Sequence, residues 1–203
     1  MGNSAVIAIV DYGMGNLRSV EKAFAHLGAD ARVTAEPKDL ENAAKIVLPG
    51  VGAFDQAVVE LQKRGLFQTI QKNIRGGKPF LGLCLGLQLL FESSDEGKER
   101  GFGILPGRVK RFEGKLKIPH MGWNRVELRD KAFKSWDGIA DGAWFYFVHS
   151  FYAPDGPECA ASTEYGARFA SVIAKDNVLA TQFHPEKSQE NGLRVLKNFA
   201  EMK

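Results

Sequence analysis

Phe80-Leu81-Gly82-Leu83-Cys84-Leu85-Gly86-Leu87-Gln88-Leu89-Leu90 is the stretch on which the fold turns. A short apolar run leads into a small residue, a thiol and another small residue, and an apolar helix-like run follows. This is the pattern of a nucleophile elbow, a strand-to-helix turn above a sheet, with Cys in place of Ser. Glycines at 82 and 86 leave room for the tight turn and for close packing of helix on sheet. The thiol is expected to stand exposed above the sheet edge, at a helix N-terminus whose dipole favours the thiolate. A buried, inert cysteine is the ordinary alternative.

The segment Phe183-His184-Pro185-Glu186 favours the first reading. It supplies a base and a carboxylate two positions apart. In extended chain such residues point the same way, and Pro185 fixes φ and disfavours a helix. Glu186 then orients the imidazole of His184, and Cys84, His184 and Glu186 together are the parts of an acyl-transfer triad. Acyl transfer also needs donors for an oxyanion. The Leu85 N–H, directly after the nucleophile, is one. The loop Pro49-Gly50-Val51-Gly52 follows a strand where such sheets place the second donor, which puts Val51 and Gly52 in the candidate hole. Read alone, this loop is equally a plain strand-ending turn.

Outward from the elbow, the first half alternates strands and helices. Ala5–Val10 is a continuous β-rich run, as expected of a strand buried on both faces. After the loop Asp11-Tyr-Gly-Met-Gly15, Asn16 is placed to cap a helix with Leu17, Val20, Phe24 and Leu27 on its apolar face, stopped by Gly28. Strands are predicted at Ala31–Thr34, Lys45–Leu48 and Pro79–Leu83, with helical segments over Phe54–Leu61 and Leu66–Arg75. The outline is β-α-β-β-α-β, a parallel sheet wrapped by helices. After about Ser93 the chain changes character. Glycines punctuate short strands at Trp144–Phe151, Glu158–Thr163, Ala170–Ala174 and Val178–Gln182, partly antiparallel, before a C-terminal helix with Leu193, Leu196 and Ala200. With no linker or repeat, residues 1–203 read as one α/β domain with a mixed, mostly parallel central sheet.

Composition fits this. The chain has 203 residues, 44% hydrophobic and 25% charged, enough to bury a core without disulfides or metal. Net charge is +3 and scattered. The densest cluster, Arg108, Lys110, Arg111, Lys115 and Lys117, reads as a solvated pair of strands, and no nucleic-acid arm is present. Two cysteines, Cys84 and Cys159, suit an enzyme of a reducing compartment. No apolar stretch reaches membrane-spanning length and the first strand lacks signal-sequence flanks, so the expectation is a cytoplasmic protein. Arg18 stands where a dinucleotide fingerprint needs its third glycine, and no Walker loop occurs. His26, His120, His149 and His184 show no metal-ligand spacing. No cofactor or metal is expected.

The run Gly82–Gln88 with His184-Pro-Glu186 resembles the class I, or triad, glutamine amidotransferases, whose fold is flavodoxin-like. Pro119-His-Met-Gly-Trp-Asn124 and Tyr146-Phe-Val-His-Ser-Phe-Tyr152 narrow the resemblance to the glutaminase subunits of imidazole glycerol phosphate synthases, over essentially the whole chain. Asp11–Asn16, Pro49–Gly52 and His184–Ser188 agree. The resemblance implies that Cys84 attacks the side-chain amide of glutamine, and that Gln88, Glu96, Ser150 and Phe151 hold this substrate. It implies that ammonia passes to a (β/α)₈-barrel cyclase subunit in histidine biosynthesis. Met121, Trp123, Asn124, Tyr146 and Lys187 match positions at the face that meets the barrel. Position 151 is Phe where the motif often has Tyr. The competing readings are a triad glutaminase serving another synthase, such as the pyridoxal phosphate complex, and a non-catalytic regulatory subunit. The Pro-His-Met-Gly-Trp-Asn run argues against the former, and the complete triad set against the latter.

Overall fold

The strand that carries Cys84, β4 (Phe80–Cys84), lies in the interior of the larger of two sheets in a computed structural model that describes residues 6–129 and 134–202. On one side it pairs in parallel with β3 (Lys45–Gly50), followed by β1 (Ile7–Val10) and the edge strand β2 (Ala31–Thr34). On the other side it pairs in parallel with β12 (Val178–Thr181). From there the sheet turns antiparallel through β11 (Arg168–Lys175), β10 (Cys159–Glu164), β7 (His120–Leu128) and the edge strand β8 (Ala143–His149). A small second sheet joins β5 (Phe91–Ser94), β6 (Leu105–Arg111) and β9 (Phe151–Tyr152).

Alternation along buried strands feeds two cores. Ala8, Val10, Ile46 and Leu48 pack under α2 (Pro37–Asn42), α3 (Phe54–Lys63) and α4 (Leu66–Arg75), against Leu40, Phe54, Val58, Leu61 and Ile70. Ile7, Ile9, Val47, Leu81 and Leu83 face the other way, toward Val20 and Phe24 of α1 (Leu17–His26) and Val195, Leu196 and Phe199 of α6 (Gln189–Glu201). Burial on both faces is why β1, β3, β4 and β12 read as unbroken apolar runs. Lys45 is the exception in β3. Its ammonium donates to the carbonyls of Phe199, Ala200 and Met202, closing the C-terminus of α6 where a cation is favoured.

The structure corrects the sequence outline in several places. Helix α2 separates β2 from β3, where the outline has two consecutive strands. Pro37 opens α2, since its fixed φ and missing N–H suit a first helical turn. Only Leu40 of α2 is buried, so no apolar period announced it. The helix after Cys84, α5 (Leu85–Gln88), is a single turn, and Leu89 and Leu90 are core residues leading into β5. The predicted strand over Trp144–Phe151 breaks at Ser150 into β8 and β9, which join different sheets. Asn16 occupies the cap position of α1, but its side chain accepts from the Ser19 hydroxyl instead of a backbone N–H. Ala5, the expected start of the first strand, lies outside the described residues. Among the described residues no helix is long and apolar enough to cross a membrane.

Candidate active site

Cys84 closes β4 with φ 54° and ψ −104°, a conformation L-residues rarely adopt. Two glycines allow it. A Cβ on Gly86 would stand 2.1 Å from the Leu48 carbonyl oxygen, and one on Gly82 would stand 2.6 Å from the Gly86 carbonyl oxygen. The turn is thus pressed onto β3 and onto itself, holding the thiol at the C-terminal end of the central strand, where open α/β sheets bind ligands. The thiol is buried, not exposed as the elbow pattern predicted. It sits beside the Val148 carbonyl, and the Gln182 amide donates to its sulfur at 3.6 Å. A one-turn helix contributes free N–H groups at this end and little cumulative dipole.

His184 lies three residues beyond the next strand over, β12. Its Nδ1 lies 2.9 Å from Glu186 Oε1, and both side chains are almost wholly buried. The local geometry differs from the predicted extended pair. His184 is extended, but Pro185–Lys187 is a 3₁₀ turn with Pro at its head, where a proline fits. The Lys187 N–H and the Ser188 hydroxyl both donate to the His184 carbonyl, curling Glu186 back onto the ring. The His184 N–H donates to the Tyr146 carbonyl, and the Tyr146 N–H donates to Ser188 Oγ. β8 therefore clamps the base.

Burial alone lowers the affinity of His184 for a proton. The charge of Cys84, its hydrogen-bonding tendency and Glu186 more than offset this and hold the imidazole above the usual histidine range. Nε2 makes no hydrogen bond of ordinary geometry, so its link to the sulfur is electrostatic. An imidazole that keeps its proton beside a sulfur can serve as the acid of a nucleophile–base pair.

Cys84 opens on a cavity of about 400 Å³, within the range of small-molecule sites. Around it the fold gathers Val51, Gly52, Leu85, Gln88, Glu96, Ser150 and Phe151, every residue the sequence proposed for oxyanion or substrate. Gly52 has φ 101°, a glycine conformation. Glu96 Oε2 accepts the Phe54 N–H at 2.9 Å, capping α3. Burial, the leading cause, raises its carboxyl above the ordinary range against that hydrogen bond. Gln88 Nε2 donates to the Phe151 carbonyl at 2.9 Å and to Gln182 Oε1 at 3.1 Å.

Sequence reasoning missed several residues here. Pro119, Val148 and His149 also line the cavity. Gln182 bridges Gln88 and Cys84, and its place two residues before His184 was the available signal. The Tyr12 hydroxyl is buried without a partner, and burial and then the charge of Cys84 push its pKa up. Cys159 is a small buried side chain bonded to the Ala161 carbonyl, its thiol raised to about 12 mainly by burial. In the basic cluster, Arg108 of β6 pairs with Asp95, just after β5, while Lys115 and Lys117 lie beyond β6. Among the described residues no group of His, Cys, Asp and Glu is arranged to hold a metal.

Four of the five interface candidates fall on the β7–β8 ribbon, and Lys187 lies on the 3₁₀ turn Pro185–Lys187. Trp123 faces Tyr146 across the strands, Met121 faces Val148 and Arg125 faces Trp144. Met121, Trp123 and Trp144 are exposed at 62%, 43% and 48%, large values for such side chains. The Lys187 ammonium lies over the Tyr146 ring at 5.9 Å. Asn124 belongs to the opposite face: its amide points inward to His120 and to the Glu164 carbonyl. Trp144 was not among the candidates.

Comparison with known proteins supplies the family. The model of the family "Glutamine amidotransferase class-I" matches residues 8–202, and the chain belongs to that family. Within it, the chain belongs with the HisH subunits of imidazole glycerol phosphate synthase. It is 49% identical over 207 residues to that subunit of Syntrophotalea carbinolica, covering 97% of this chain and 100% of the relative. It is 52% identical over 199 residues to that of Nostoc punctiforme, covering 96% and 94%. Among solved structures, PurLQS from Thermotoga maritima aligns with a TM-score of 0.75 over 97% of both chains at 17% identity. A glutamine amidotransferase of Thermotoga maritima aligns with a TM-score of 0.60 over 91% of this chain and 77% of that one at 20% identity. These two likenesses concern the fold alone.

Proposed function

We infer that this chain is the glutaminase subunit of an imidazole glycerol phosphate synthase, hydrolysing L-glutamine to L-glutamate and ammonia for histidine biosynthesis. The observation that carries the reading is the strained Cys84 at the mouth of the cavity, electrostatically coupled to a His184 that Glu186 orients at 2.9 Å. The Cys84 thiolate attacks the carboxamide carbon of glutamine. The resulting oxyanion is met by the Leu85 N–H and by a peptide N–H of the Val51–Gly52 loop. His184, as imidazolium, gives its proton to the departing ammonia, leaving a glutamyl thioester. It then takes a proton from water, which adds to the thioester, and glutamate leaves as the thiolate is restored. Gln88, Glu96, Ser150 and Phe151 form the walls that hold glutamine.

Ammonia that reaches bulk water becomes ammonium, which has no lone pair with which to attack. The product therefore goes to a docked partner, a (β/α)₈-barrel cyclase. Met121, Trp123, Tyr146 and Lys187 form the docking face, with Trp144 beside them. The glycine-rich 49–52 loop holds an incomplete oxyanion hole until docking reorients a peptide. Two measurements test the reading. Glutamine hydrolysis is expected to be low for the isolated chain and to rise strongly with the liganded cyclase. Cys84→Ala is expected to abolish glutamine-dependent synthesis in the complex and to leave synthesis from added ammonia intact. Loss of both would make Cys84 a structural residue.

A further inference from the structure

Two buried histidines outside the triad meet each other: His120 Nδ1 lies 2.9 Å from His149 Nε2. The hydrogen bonds at the two ends leave one proton arrangement. His149 Nδ1 lies 2.8 Å from the Phe151 carbonyl oxygen, which only accepts, so Nδ1 carries the proton. His149 Nε2 is then a lone pair and needs a donor, so His120 Nδ1 carries a proton too. His120 Nε2 is left to accept, and it faces the Asn124 amide nitrogen at 3.3 Å. The orientation of Asn124 is itself fixed, since its Oδ1 accepts the Arg125 N–H at 2.8 Å and its Nδ2 donates to the Glu164 carbonyl. The chain ends on a carbonyl whose second donor is Gln88 Nε2, and Gln88 leads through Gln182 to the Cys84 sulfur.

We propose that His120 and His149 are positioning residues: a tautomer-locked strut that sets the Phe151 carbonyl and, through it, the Gln88 side of the glutamine cavity. The inference rests on the reading of that cavity given above. Three observations support it. His149 lines the cavity while His120 does not, so the pair transmits position inward from β7. β8 ends at His149 and β9 begins at Phe151, so the strut bridges the break where the chain leaves one sheet for the other. Both rings are also held neutral, chiefly by burial, at about 4 for His120 and about 3 for His149. A proton on His149 would oppose the one on His184, which also acts on it.

The direct test is ¹⁵N NMR of the imidazoles in the full-length chain. Both His120 and His149 are expected as neutral Nδ1–H tautomers at pH 7, and an Nε2–H tautomer at either position overturns the strut. The functional test uses His120→Phe, which keeps a ring to stack on Phe147 and Tyr165 but removes both nitrogens. In the complex with the cyclase, KM for glutamine is expected to rise about tenfold, as for the loss of a buried hydrogen-bond partner. kcat and ammonia-dependent synthesis are expected to change by less than about twofold. His120→Asn places an amide N–H near the lost Nδ1 and is expected to restore KM to within about twofold of wild type. An unchanged KM in His120→Phe, or equal impairment of both variants, refutes the proposal. If the wild-type complex itself fails to hydrolyse glutamine, the glutaminase reading fails instead, and the NMR still decides the strut.

Discussion

Cys84 and His184 share one electrostatic problem. Each is buried, and neither carries charge comfortably without the other. The proton affinity of His184 is high because negative charge at Cys84 and Glu186 outweighs burial. Replacing Cys84 by Ala removes the larger of these favourable influences and leaves burial opposed by Glu186 alone. The His184 titration in Cys84→Ala is therefore expected to move down relative to the wild type, measured by imidazole NMR across pH. A titration that stays in place or moves up would show that the sulfur does not act on the ring. His120 and His149 are expected to remain silent between pH 5 and 8 in both proteins, since burial holds both well below that window. At this scale the sequence proposed Cys84, His184 and Glu186, and the fold brings the three together. Glu186 reaches His184 by a 3₁₀ turn and not by extended alternation, because Pro185 suits a first helical turn as well as it resists a helix interior.

Among the elements, the elbow is the most constrained. Gly86 packs against the β3 backbone with no space for a methyl group, and the obstacle is a carbonyl oxygen that cannot swing away as a side chain can. Gly86→Ala is expected to cost about 3 kcal/mol or more, the upper range for overpacking. It should appear as a lowered urea midpoint with an unchanged m-value. A variant as stable as wild type would mean that β3 and the elbow are looser than their contacts indicate. The glycine spacing was visible in the sequence, but what it packs against was not. Helix α2 and the break at Ser150 were also hidden, the first for want of an apolar face and the second because β8 and β9 are both β-rich. Their separation depends on β6 pairing with Phe151 and Tyr152, a contact between segments far apart in the chain.

At the scale of the molecule, the β7–β8 ribbon joins the site to the surface. One face carries Met121, Trp123, Trp144 and Tyr146, and the other carries His120, Asn124 and His149. The backbone of Tyr146 also grips the His184 segment. A partner seated on the outer face would therefore press on a ribbon whose end, Val148 and His149, lines the Cys84 cavity. Trp123→Ala is expected to weaken cyclase binding about thirtyfold, or about 2 kcal/mol, as for a central aromatic anchor. The melting temperature of the isolated chain should move little, because Trp123 is already exposed. Calorimetric titration and thermal melts check the two halves. A large drop in melting temperature would make Trp123 a core residue instead.

The sequence by itself determined the α/β class and proposed Cys84, His184 and Glu186 and the residues that the fold gathers around one cavity. Each of these is written in local patterns: glycines around a thiol, a His-Pro-Glu run, apolar strands of sandwiched length. Only the tertiary structure decided that the thiol is buried, that Asn124 turns inward while Trp123 turns out, and that His120 meets His149. Those outcomes depend on cross-strand register. Neighbours along a strand face opposite ways, so which face is buried is settled by what packs on the sheet and not by the residues alone.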